Sequence, residues 1–111
     1  MLQTSEIQDL ERLYIFRERE RVLRFIEENS FLIPLLLEAH TEIHKYFPDA
    51  PLFLRIFNDM ESYSEDELLL LIGSKYDPAK TYQKMKQLDD KWWLDAMDQS
   101  QTKLSIIVEY Q

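Results

Sequence analysis

One glycine, Gly73, serves a chain of 111 residues. Phosphate-cradling loops and dinucleotide folds need several, because their backbone must turn tightly and come close to the ligand. A lone glycine builds neither, so the usual nucleotide folds do not fit this chain. Cysteine is absent. That removes disulfides, thiol catalysis and every cysteine-based zinc or iron–sulfur site, and it suits a reducing compartment.

The length matches one compact domain, and a hydrophobic content of 45% is enough for a core. The formal net charge of −8 opposes approach to a phosphate backbone and suits a basic protein partner. Met1 to Glu6 lack the basic flank and apolar run of a signal peptide. The longest purely apolar run, Leu68 to Ile72, is far shorter than the roughly 20 residues a membrane helix needs. The expectation is one cytoplasmic domain over residues 1–111. It has no cofactor, and neither nucleic acid nor membrane is a partner.

Residues 5–28 read as helix. Ile7, Leu10, Leu13 and Tyr14 recur at helical spacing, and Val22, Phe25 and Ile26 continue at another angle. The charged run Arg17 to Arg21 predicts a kink near Phe16 or loosely packed first turns. Glutamates interleave its arginines, which reads as a solvated face with pairs such as Glu20 and Arg24. Asn29-Ser30 is a break and a predicted N-cap. A second helix runs from Phe31 or Pro34 to Tyr46, burying Leu36, Ala39, His40, Ile43 and Phe47. Pro48 and Pro51 end it. Leu52 to Phe57 alternates as a strand, and Glu67 to Gly73 is a second strand, apolar on both faces. Asp77-Pro78 opens a helix to about Met97. Leu104 to Tyr110 is the last strand.

This order predicts an α+β domain: two N-terminal helices, then β-β-α-β. With the third strand beside the first, the sheet has three strands, antiparallel, in order 2-1-3. Beside the second, that pair is parallel. The antiparallel sheet is the expectation. Helices on one side would leave Phe53, Phe57, Leu69, Leu71 and Ile107 uncovered. Either the helices divide between the faces or a second subunit covers the open one.

Candidate chemistry is sparse. His40 and His44 lie four apart on one helix face, as a metal pair requires, but Thr41 stands where a zincin has its glutamate and no third ligand is evident. Asp59, Glu61, Glu65, Asp66 and Glu67 lack the glycine and ligand spacing of a calcium loop. No serine sits in a nucleophile elbow, and neither histidine has a triad partner. Asp89 falls near the middle of an apolar helix side, between Met85, Trp92 and Trp93. A buried carboxylate there needs a partner, such as Arg55 or His40, or else a place at the rim. Trp92 and Trp93 are about 100° apart on an α-helix. Trp92 then points to the core, and Trp93 with Leu94 becomes a candidate partner surface.

Three blocks, Glu20 to Asn29, Leu35 to Ala39 and Lys91-Trp92-Trp93-Leu94-Asp95, resemble those of a small bacterial family of uncharacterised proteins. The paired tryptophans are the most specific of these. The resemblance implies a complete small bacterial domain and brings no activity or functional residue with it.

The expected function is a non-catalytic protein-interaction domain that self-associates or binds a protein partner. Trp93, Leu94, Phe53 and Phe57 are the candidate surface, and Asp89 and Arg55 the candidate buried polar groups. One alternative is an antitoxin-like accessory protein of a two-gene pair. The other is a small-molecule or metal-binding protein with a pocket near His40, Arg55 and Asp89.

Overall fold

A run that is apolar on both faces belongs inside a sheet, with a neighbour on each side. Glu67–Ser74 occupies that place in a computed structural model describing residues 4–58 and 66–111. The strands are β1 (Ile15–Phe16), β2 (Leu52–Phe57), β3 (Glu67–Ser74) and β4 (Leu104–Tyr110), in the order β1-β2-β3-β4. β2 and β3 are antiparallel; β1 pairs β2, and β4 pairs β3, both in parallel. The three-stranded antiparallel sheet in order 2-1-3 is thereby corrected to a four-stranded mixed sheet. That arrangement would have left β3 at an edge, with its leucines against water.

The first helix is two helices, α1 (Thr4–Leu13) and α2 (Arg19–Glu28), separated by β1. The charged run cannot carry the apolar stripe of one long helix. The chain instead extends at Ile15 and Phe16. Arg17 N–H then donates to Leu54 O at 2.8 Å, and Glu18 takes a left-handed φ of 55° as α2 begins. Phe16 packs against the core, while Ile15 on the opposite side is 54% exposed.

α3 (Leu32–His44) follows. Asn29 is not its side-chain N-cap. It closes α2, donating from Nδ2 to Phe25 O at 2.9 Å. α4 (Pro78–Leu88) starts as its sequence predicts, with the Asp77 carboxylate accepting from Lys80 N–H at 2.8 Å and proline at its start. It runs into a π-helical turn over Asp89–Trp93, a short α5 (Leu94–Ala96) and a 3-10 turn over Met97–Ser100.

Register fixes which residues face the helices. Leu52 pairs with Ile72, Leu54 with Leu70, and Ile56 with Leu68; Leu68 and Leu70 in turn pair with Leu104 and Ile106. These side chains form the inner face and pack into one core with Leu10, Tyr14, Phe25, Ile26, Leu36 and Ile43 from the helices. Tyr14 donates its buried hydroxyl to Leu36 O at 2.6 Å, tying α1 to α3. α4 docks on the same face, where Ser74 and Thr81 share a hydroxyl hydrogen bond of 2.7 Å. Among the described residues, all helices therefore lie on one side of the sheet.

Gly73 earns its place by proximity. Its N–H donates to Pro51 O at 2.8 Å, and a Cβ there would sit 2.7 Å from Pro51 Cγ. Across the described residues no helix is long and apolar enough to cross a membrane.

Candidate functional site

The outer face of the sheet carries an apolar ladder. Ile15 pairs with Phe53, Phe53 with Leu71, and Leu71 with Ile107, one residue from each strand. None of the four belongs to the helix-packed core. Ile107 is 41% exposed, and neighbouring Phe57 44%. Phe53 and Leu69 are half-buried. The alternation that buries Leu52, Leu54 and Ile56 turns Phe53, Arg55 and Phe57 outward.

Charges frame this ladder. Arg17 lies just past β1, and its guanidinium sits 4.0 Å from the centre of the Phe53 ring. Both its terminal nitrogens donate to Glu109 on β4, each at 2.7 Å. The pair reaches from the first strand to the last. Leu71 beneath the face is only 4% exposed although it lies outside the helix-packed core. The Arg17 hydrogen bonds hold the Glu109 carboxyl below its usual pKa, with Arg55 adding attraction. Arg55 itself is exposed, not buried as its place among apolar neighbours suggests. It shares an open groove of about 260 Å³ with Arg17, Glu18, Arg21 and Ile56. Glu67 accepts a hydrogen bond from the Ser105 hydroxyl.

The other candidates lie elsewhere. Trp93 is not on the surface: Trp92 and Trp93 are each 8% exposed and both join the core. The π turn is the reason. Its i→i+5 pattern spreads one turn over more residues, so neighbouring side chains diverge less than in an α-helix. The two rings stand 5.5 Å apart, and Trp92 Nε1–H donates to Glu38. Leu94 stays outside at 56% exposed. Asp89 opens the π turn half-buried at the rim, with no side-chain partner among the described residues. Burial, and then the charge of Asp90, raise its pKa.

His40 and His44 do meet, with ring centres 4.4 Å apart, and His40 also packs edge-on against Tyr14. Burial, and then His44, lower the His40 pKa. His44 Nε2 lies 3.1 Å from Ala50 O, to which it can donate as N–H, which leaves the ring's lone pair on Nδ1. Among the described residues no group of three or more histidines and carboxylates could hold a metal. Asp59, Glu61 and Glu65 of the candidate calcium loop lie outside the described residues. Arg55 is on the outer face and His40 on a helix of the inner side, so the sheet separates them.

Sequence reasoning missed the β1 contribution. Ile15 and Arg17 read as helix residues, yet they supply one end of the ladder and its charged strap. The signal was there: Tyr14-Ile15-Phe16, β-formers all, directly before a charged run.

Comparison with known protein families, with curated proteins and with solved structures finds no match to this chain.

Proposed function

We propose that this chain is a non-catalytic protein-interaction domain and that the outer face of its sheet is the binding surface. The observation that carries this is the ladder Ile15–Phe53–Leu71–Ile107, continuous across four strands and free of any helix among the described residues. Single exposed apolar residues are ordinary on protein surfaces. A contiguous apolar band with a polar rim marks an interaction site. Here Arg55 and Glu67 flank the band, and the Arg17–Glu109 pair crosses it. The centre holds Phe53, an aromatic anchor with an arginine stacked on it, and both residue types are enriched at protein interfaces.

Untagged expression with the neighbouring genes, followed by native mass measurement, tests this reading. The wild-type chain is expected in a stoichiometric assembly, with itself or another protein, that Ile107→Glu disrupts and Tyr82→Ser leaves intact. Tyr82 is 68% exposed on α4, away from the sheet. An assembly unaffected by Ile107→Glu would place the binding surface elsewhere.

A further inference from the structure

We infer that the partner for this face is a second copy of the chain, stacked sheet against sheet. The inference rests on the reading of the outer face as an interaction surface and names its occupant. In a two-fold assembly the same patch meets itself, so the patch must be self-complementary. The outer face meets the charge condition for this. It presents Arg17 and Arg55 with Glu67 and Glu109, two charges of each sign, on a chain whose net charge is −8. The acidity therefore lies elsewhere, and two copies can meet here without opposing it. A basic partner would be drawn to the acidic remainder instead.

Arg55 supplies the complementary contact. Arg17 and Glu109 satisfy each other within the chain, whereas Arg55 forms no ion pair among the described residues. It stands exposed beside the ladder, available to a carboxylate of the second copy. The ladder supplies the shape. Sheets packed face to face align within about 30° and interdigitate side chains from their inner surfaces. What a second twisted sheet of equal width would cover is the open part of the row, Ile15 and Ile107 with half-buried Phe53 between them.

Size sets the strength. Three strands of six or so residues and a two-residue β1, about 4.8 Å apart and at about 3.3 Å per residue, give a flat footprint of roughly 300 Å² per copy. A standard interface buries about 800 Å² per partner. The pair is therefore a reversible dimer that responds to concentration.

Sedimentation velocity of the full chain over a wide concentration range tests this. The wild type is expected to move from monomer to dimer as concentration rises, and Tyr82→Ser to behave in the same way. Ile107→Glu and Arg55→Glu are expected to remain monomeric throughout. Both positions are exposed, so neither variant disturbs the core. A wild type that stays monomeric to its solubility limit overturns the second copy as occupant, while an assembly with another protein lost in Ile107→Glu still supports the interaction surface. A dimer that persists in both variants overturns the stacking and the interaction reading together.

Discussion

Arg17 and Glu109 meet across the width of the sheet, joined by two hydrogen bonds of 2.7 Å, with the Arg17 guanidinium lying over Phe53. Ninety-two positions separate them in the chain. The contact fastens the short first strand to the last and lays a charged strap across the apolar ladder.

That strap makes stability depend on acid. The Glu109 pKa is lowered in the fold, so its contribution is fully present above the ordinary glutamate value. It is lost as pH falls through the lower folded value. Urea midpoints from pH 7 down to pH 3 should fall more steeply for the wild type than for Glu109→Gln. Equal slopes would mean that the pair contributes nothing in solution.

Asp89 has the opposite sign. Its folded pKa is raised, so the charged form is disfavoured in the fold and stability is lost as pH rises from the ordinary aspartate value through the folded one. Asp89→Asn should therefore stabilise at pH 7. With the site partly open to water, the gain is on the order of 0.5 kcal/mol, or about 2 °C in Tm for a domain of this size. An unchanged or lower Tm would show that Asp89 is fully hydrated or has a partner.

Trp92 and Trp93 should cost alike when truncated. Both are 8% exposed and both pack in the core, so each Trp→Ala change should destabilise by about 3–5 kcal/mol. Chemical denaturation checks this. A regular α-helix through residues 89–93 would instead leave Trp93→Ala near neutral.

Gly73 tests the close approach of Pro51. A Cβ at 2.7 Å from Pro51 Cγ forces the two segments apart, so Gly73→Ala should cost roughly 1–3 kcal/mol by overpacking. Relief by a second change, Pro51→Ala, would confirm the cause. Gly73→Ala at wild-type stability would contradict it.

Much of the fold was legible because period and punctuation coincided. Asp77-Pro78 marked a helix start, and the alternation in Leu52–Phe57 and Leu104–Tyr110 marked strands, since cap chemistry and pleat act locally. The sheet order was not legible, because strand neighbours are chosen by long-range burial. Yet Leu68–Ile72, apolar on both sides, already called for two neighbours. The π turn was hidden for another reason: angular reasoning at 3.6 residues per turn fails where a helix takes an extra residue. The candidate surface was half visible. Phe53 and Phe57 declared themselves by alternation, while Ile15 and Arg17 joined only through tertiary pairing.

The most direct test of the open sheet face uses the absence of cysteine from the chain. An Ile107→Cys variant carries one thiol at the end of the ladder, and a Tyr82→Cys variant carries one on α4 as reference. Alkylation rates report access to each. In dilute protein the two thiols should react at similar rates; in concentrated protein, reaction at position 107 should slow several-fold while position 82 does not change. Slow reaction at position 107 even in dilute protein would contradict the account, because the face would then be covered within the monomer.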